Sequence, residues 1–139
     1  KIISQKKVND PVLSSGVIGK GVAIQPENGE VYAPVAGRIT LVAPSKHAVK
    51  LTANNGLEVL IHVGIDTVNL NGKYFEDLVT LNQEVKVGDK LLKFDLDAIK
   101  EEKFDPTICV LVANADQFLD IIEIQQEFVK VKDSLLLVV

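Results

Sequence analysis

Apolar and polar residues alternate over short stretches of this 139-residue chain, and the alternation predicts β-strands. The stretches are rich in Val, Ile, Leu and Thr and are separated by Gly, Asn, Asp or Pro, as in strands joined by turns. They cover residues 21–26, 31–44, 47–53, 57–64, 78–87, 90–96, 107–114 and 128–139. Because they follow one another too closely for crossover helices, we expect mostly antiparallel sheets. The pattern predicts an all-β fold, an antiparallel β-sandwich or barrel.

Three short segments within this pattern are candidates for helical turns. Residues 71–78 and 96–103 carry spaced apolar residues among polar or charged ones, and residues 116–122 are the weakest candidate. The chain also contains an internal repeat, because residues 85–94 (VKVGDKLLKF) and 129–138 (VKVKDSLLLV) share V-K-V-x-D-x-L-L. Chance similarity is one explanation. An internal duplication of a strand–turn–strand unit is the one we favour, and it concerns the fold only.

The two histidines of the chain, His47 and His62, fall on two neighbouring predicted strands. Between them lies Asn55-Gly56, a strong hairpin signal. A two-residue turn there sets His62 opposite Val49, whereas a turn one residue earlier sets His62 opposite His47. Both registers place one set of residues on the same face of the sheet: His47, Val49, Leu51, Leu60, His62, Gly64 and Asp66. A loop of odd length or a bulge would break this inference.

A pair of histidines on one sheet face allows three kinds of chemistry. A neutral imidazole is a nucleophile that titrates at about pH 6.5 and can accept and release a phosphoryl group. Two histidines and a third ligand can hold zinc, and one histidine can act as a general base. Beside the pair, Gly64 either leaves room for an approaching group or makes a bend. Asp66 either orients an imidazole or is simply a polar strand end.

Composition limits the class of protein, its partners and its location. Hydrophobic residues make up 47% of the chain, which is enough for the core of one domain of this length. The net charge of −4 argues against a nucleic-acid partner, and no apolar run approaches the roughly 20 residues that insert in a bilayer as a helix. A single cysteine and no secretory signal predict a cytoplasmic location. The lack of methionine favours a domain excised from a larger polypeptide.

Residues 60–75, LIHVGIDTVNLNGKYF, resemble the phosphohistidine signature of the glucose-type enzyme IIA domain of the bacterial phosphoenolpyruvate-dependent sugar phosphotransferase system. Further segments resemble the same family: residues 16–39 with APVAG, 44–51 around His47, 84–99 with VKVGD, and 107–114. The likeness covers most of the chain. It implies that residues 1–139 form a single IIA domain, a compact antiparallel β-sandwich.

The resemblance also implies a role for each candidate site residue. It implies that His62 accepts a phosphoryl group on Nε2 from the carrier protein HPr and passes it to a cysteine of a IIB domain. His47 is similar to the family's second histidine, which supports transfer by hydrogen bonding. Asp66 matches an acidic residue that orients the pair and faces basic groups of the carrier. Ser45 keeps the hydroxyl of a threonine found in many members. The resemblance implies no cofactor and requires no metal.

One departure from the family pattern concerns docking. Many members have Gly-Asp-Gly where this chain has Gly19-Lys20-Gly21. A positive charge therefore replaces a carboxylate that is expected to meet arginines of the carrier, which bears on partner docking more than on the chemistry.

Two alternative functions stay open at this point. The first is a regulatory IIA-like domain fused to a sugar permease, which would tether the domain to the inner face of the membrane. The second is a zinc-binding, hydrolase-like β-domain in which His47 and His62 are joined by a third ligand.

Overall fold

Two antiparallel sheets form the part of the chain that a computed structural model describes, residues 2–4, 20–54 and 56–112. The strands in this part are β1 (Ile2–Ser4), β2 (Lys20–Ile24), β3 (Glu30–Tyr32), β4 (Gly37–Val42), β5 (Ala48–Ala53), β6 (Glu58–Val63), β7 (Phe75–Asp77), β8 (Glu84–Val85), β9 (Lys90–Phe94) and β10 (Ile108–Val112). The larger sheet has the order β1-β2-β10-β6-β5-β4-β8 and the smaller β3-β9-β7. All of these pairings are antiparallel, which confirms the predicted fold class.

The main hydrophobic core combines side chains from both sheets. In β6, Val59, Ile61 and Val63 point to this core and are at most 1% exposed. From the smaller sheet, Leu92 and Phe94 of β9 belong to the same cluster. Full burial of one such side chain contributes about 1.5–3 kcal/mol to folding. Because β6 lies between β5 and β10, its backbone is paired on both edges as well.

The opposite face of the larger sheet carries a second, smaller apolar cluster. Its buried members are Ala23, Ile65, Cys109 and Leu111, with Leu60 packed against them. Side chains alternate along a strand, so the even-numbered residues of β6 lie on this face while the odd-numbered ones lie in the core. The central strands of the larger sheet are therefore packed on both faces.

The predicted helical turn at residues 96–103 is confirmed by helix α1 (Leu96–Glu101). The helix begins because the Asp95 side chain accepts a hydrogen bond from the Ala98 backbone N–H at 3.1 Å, a common N-cap arrangement. Ile99 is the buried residue of this helix and joins the main core. The short helix is thus fixed at its start and through one apolar side chain.

The predicted helical turn at residues 71–78 is wrong. Asn71, Gly72 and Tyr74 have positive φ angles of 52°, 87° and 73°, which a right-handed helix does not allow. Phe75 instead begins β7 and pairs with Phe94. A turn therefore leads directly into a strand of the smaller sheet.

The predicted strands agree with the structure in most places. The stretch 31–44 divides into β3 and β4, and the stretch 78–87 is mostly loop with the two-residue strand β8. The first copy of the internal repeat, residues 85–94, contains Val85 of β8 and all of β9. Its second copy, the predicted strand at 128–139 and the candidate turn at 116–122 lie outside the described residues.

The hairpin between β5 and β6 has a loop of three residues, 54–56, instead of the expected two. The Gly56 N–H donates to the Ala53 carbonyl at 2.9 Å, and the Ala53 N–H donates to the Leu57 carbonyl at 2.8 Å. Gly56 has a φ of 89°, and a left-handed residue at the end of a three-residue loop is a common hairpin form.

Both predicted registers of this hairpin are wrong by one residue. The structure pairs Ala48 with His62 and Val49 with Ile61. A shift of one residue reverses which face each side chain occupies relative to the partner strand. Val49 therefore lies in the core with Ile61, and the predicted single face containing both Val49 and His62 does not exist.

We predict that two glycine substitutions will differ in cost for a steric reason. Gly56→Ala should lower the free energy of unfolding by about 1–2 kcal/mol, because only the left-handed backbone opposes a Cβ there. Gly37→Ala should lower it by about 3 kcal/mol, since its Cβ would lie 2.4 Å from the Thr52 carbonyl oxygen. Urea unfolding of both variants measures the two values. A larger loss for Gly56→Ala would contradict this account.

Candidate functional site

The imidazole rings of His47 and His62 are in contact. Their centroids are 4.9 Å apart and their planes are inclined by 85°, an edge-to-face arrangement. The prediction that the two rings share one patch is therefore confirmed, although the register on which it was based is wrong.

His47 reaches His62 because it lies just outside the regular part of β5. Alternation continued backwards from Val49 would turn His47 into the core. A turn precedes His47, in which the Lys46 N–H donates to the Ala43 carbonyl at 2.9 Å and Lys46 has a φ of 62°. His47 lies in this irregular segment before β5, so the alternation of the strand does not extend to it, and its ring lies against His62.

The backbones of the two histidine segments are also joined directly. The N–H of Val63, the residue after His62, donates to the His47 carbonyl at 2.8 Å. On its other edge β6 pairs with β10, where His62 lies opposite Cys109. Cys109 is completely buried, as expected for a core residue. His62 is thus held from both neighbouring strands.

Both histidine side chains are shielded from solvent, to different degrees. His47 is 8% exposed and His62 is half-buried, and the Nδ1 atoms of both rings are buried. The Nδ1 atoms are therefore not available to an incoming group. Burial lowers the pKa of His47, because the protonated ring loses hydration. His47 is consequently neutral at pH 7.

The turn after His62 depends on Gly64 as a bend and leaves no room beside it. Gly64 has a φ of 81°, and its N–H donates to the Thr107 carbonyl at 2.8 Å. A Cβ at Gly64 would lie 2.3 Å from the Thr67 methyl carbon. Of the two interpretations of Gly64 from the sequence, the bend is therefore the correct one.

Thr67 is a site residue that the sequence did not reveal. It is completely buried, and its hydroxyl donates a hydrogen bond to the Val63 carbonyl. Thr67 begins a 3-10 helix, Thr67–Leu70, that follows the histidine strand. Threonine followed by valine in a strand-rich sequence is unremarkable, so only the three-dimensional contact identifies it.

Asp66 and Ser45 lie on two segments that flank the histidines. Asp66 is exposed, has a φ of 60°, and precedes the 3-10 helix without capping it through its side chain. Ser45 is half-buried in the turn before His47, and its carbonyl lies close to Gly72. The predicted hydrogen-bonding role of Ser45 and the orienting role of Asp66 stay predictions.

Within residues 2–4, 20–54 and 56–112, no group of three or more His, Cys, Asp or Glu side chains is arranged to hold a metal ion. The third ligand that the zinc hypothesis requires is thus not found in the described part of the chain. In the same part, no helix has the length and apolar character needed to cross a membrane.

Comparison with known proteins identifies a family. Residues 1–118 match the family model described as phosphoenolpyruvate-dependent sugar phosphotransferase system, EIIA 1. The PTS system beta-glucoside-specific EIIBCA component of Bacillus subtilis (strain 168) is 46% identical over 112 residues, or 81% of this chain and 18% of that protein. The PTS system glucose-specific EIIA component of Staphylococcus aureus (strain COL) is 42% identical over 117 residues, or 84% of this chain and 70% of that protein.

A solved structure agrees with these relatives. Glucose permease IIA from Mycoplasma capricolum has a TM-score of 0.77 and 37% sequence identity, and the match covers 81% of this chain and 73% of that chain. Together with the contacting histidine pair, these matches identify the chain as a member of the EIIA 1 family of the phosphoenolpyruvate-dependent sugar phosphotransferase system, whose components are phosphotransferases in a phosphoryl relay.

Proposed function

We propose that His62 is the residue that carries the phosphoryl group in this relay. HPr donates the group to Nε2 of His62, and a cysteine of a IIB domain then receives it. The observation that carries this proposal is the contact between the His47 and His62 rings, with centroids 4.9 Å apart and Nδ1 buried in both. Because Nδ1 is buried, Nε2 is the nitrogen of His62 that we assign as the nucleophile, and a second imidazole lies beside this half-buried ring.

The transfer requires no cofactor. As the N–P bond in phosphorylated HPr breaks, a new N–P bond forms at His62 Nε2, and the carrier imidazole leaves with its electron pair. In the second step, the bond at His62 breaks as a thiolate of the IIB domain forms an S–P bond. The protein has to position an unprotonated nucleophile in line and to stabilise the equatorial oxygens of the transferred group.

His47 supplies this stabilisation in our proposal. Its lowered pKa keeps it neutral at pH 7, so it has one ring N–H to donate. His47 Nδ1 is buried, and in the tautomer that we propose the ring proton of His47 is on Nε2, where it can be donated. The 4.9 Å distance between the ring centroids supports this role, because His47 would then reach a phosphate oxygen on His62. A neutral donor also leaves the phosphorylated state free of a fixed ion pair that would slow release.

Partner contacts belong to the exposed residues around the pair. Asp66 is exposed on the segment after His62 and is suited to meet basic groups of HPr. Ser45, in the turn before His47, offers a hydroxyl to the transferred group. Phosphorylation adds roughly two negative charges at pH 7. Such a change is large enough to exchange one partner for the next at a small interface.

We also propose the wider setting of the domain. Residues 1–139 form one cytoplasmic domain, and fusion to IIB and IIC domains, as the name of the Bacillus subtilis relative indicates for that protein, would hold it at the inner face of the membrane. A purely regulatory domain on another permease would use the same His62. The two settings differ in the flanking protein, so the full gene product separates them.

Substitution of each histidine tests the assigned roles. Incubation with phosphoenolpyruvate, enzyme I and HPr should add one phosphoryl group to the wild-type chain and none to His62→Ala, as measured by intact mass at neutral pH. His47→Ala should still be phosphorylated but should transfer to a IIB domain about 10²-fold more slowly, because a hydrogen-bond donor to the transferred group is lost.

Correct folding of both variants is the control for this experiment, checked by the far-ultraviolet circular dichroism of the β-sheets. A phosphoryl group on folded His62→Ala would refute His62 as the acceptor. Transfer from His47→Ala at the wild-type rate would refute the supporting role of His47.

The pH dependence of stability should report the buried state of His47. Burial lowers its pKa in the folded protein below the value of about 6.5 of the unfolded chain. The unfolded state therefore binds more protons between these two values, and the free energy of unfolding should fall as the pH drops below about 6.5. Urea unfolding from pH 7.5 to 5 measures this.

The matched control is His47→Ala, in which this part of the pH dependence should disappear while His62 is retained. A proton NMR titration of the folded wild-type protein should show His47 titrating below pH 6.5. Titration of His47 at or above that value would contradict the prediction.

A further inference from the structure

Thr67 connects the backbones of the two histidine segments through Val63. The Val63 N–H donates to the His47 carbonyl at 2.8 Å, and the Val63 carbonyl accepts a hydrogen bond from the Thr67 hydroxyl. Both polar groups of the Val63 residue are therefore used in this connection. Since Val63 directly follows His62, a single residue transmits the position of Thr67 to both histidines.

The methyl group of Thr67 lies against Gly64, the residue after Val63. Gly64 has a φ of 81°, and the Thr67 methyl carbon occupies the space in which a Cβ of Gly64 would lie, 2.3 Å from that position. Thr67 is completely buried, so neither branch is in water. The hydroxyl and the methyl group thus fix one rotamer, with the hydroxyl directed at Val63 and the methyl group at Gly64.

We propose that Thr67 is a positioning residue for phosphoryl transfer, because its hydroxyl holds the Val63 peptide and so sets the relative placement of the His47 and His62 rings. The inference deepens the proposed function and rests on it. Thr67 does not touch the transferred group. Misplacement of reacting groups by about 1 Å is sufficient to slow an enzyme reaction about 10²-fold, so a hydrogen bond next to His62 has a large effect on the rate.

Two substitutions test the hydroxyl and the methyl group of Thr67 one at a time. Thr67→Val keeps the shape and the methyl group but removes the donor to the Val63 carbonyl. Thr67→Ser keeps the donor and removes the methyl group that packs on Gly64. Thr40→Val is the matched control, because it also removes one hydroxyl from the larger sheet, where Thr40 bonds to Thr52 at 3.1 Å.

The experiment measures single-turnover phosphorylation of the full chain by phosphorylated HPr of Bacillus subtilis at several HPr concentrations; here kcat denotes the limiting rate constant at saturating HPr, and KM denotes the HPr concentration that gives half of it. Thr67→Val should lower kcat by about ten- to a hundred-fold with little change in KM. Thr67→Ser and Thr40→Val should keep kcat close to wild type. Nuclear Overhauser contacts between the His47 and His62 ring protons should weaken in Thr67→Val alone.

Thermal unfolding of the same variants distinguishes positioning from stability. Thr67→Ser should lose stability because a small cavity forms beside Gly64, yet it should keep its rate. If rates merely follow Tm across the three variants, or if Thr67→Val keeps both kcat and the ring contacts, the positioning role is refuted. Absence of phosphorylation at His62 in the wild-type chain would instead refute the proposed function itself.

Discussion

The structure of the site depends on the hydrogen bond between the Val63 N–H and the His47 carbonyl, 2.8 Å long. It joins the start of β5 to the end of β6 where the chain leaves regular strand geometry on both sides, at Lys46 and at Gly64 with φ angles of 62° and 81°. Left-handed backbone costs roughly 1–2 kcal/mol at a residue other than glycine and persists only where surrounding contacts determine it. Here the paired strands of the sheet supply that support: His62 lies in β6, and the Val63–His47 hydrogen bond ties His47, just before β5, to that strand.

The sheet supports this pair because it is packed on both faces. Val59, Ile61 and Val63 fix one side of β6 in the main core, while Leu60 and His62 lie on the side of the smaller cluster around Cys109. A strand that is buried on only one face can slide or twist in response to a partner. A strand that is packed on both faces would keep His62 in place when a partner docks, which suits our proposal that the same nitrogen receives and releases the phosphoryl group.

Hydrophobic alternation was sufficient to predict most strands and their antiparallel pairing, because these depend on patterns within a few residues. The alternation did not predict features that depend on the backbone conformation of single residues. The φ of 89° at Gly56 makes the hairpin loop three residues long, and the positive φ at Tyr74 replaces an expected helical turn by a turn into β7. Thr67 was not predicted as a site residue for a different reason. Its hydrogen bond to the Val63 carbonyl cannot be inferred from the spacing of residues in the sequence.

The two histidine rings are in contact as predicted, although the strand register that led to this prediction is wrong. With His62 opposite Ala48, strict alternation would place the two imidazoles on opposite faces of the sheet. The rings meet because His47 stands one residue before the ladder, after a turn that reorients it. The geometry of the pair therefore depends on the turn at Lys46 and on the two hydrogen bonds of the Val63 backbone, to His47 and from Thr67, more than on the hairpin loop. Changes in the loop at Gly56 should consequently alter stability with little effect on the rings, whereas we expect changes at Thr67 to reach the rings through Val63.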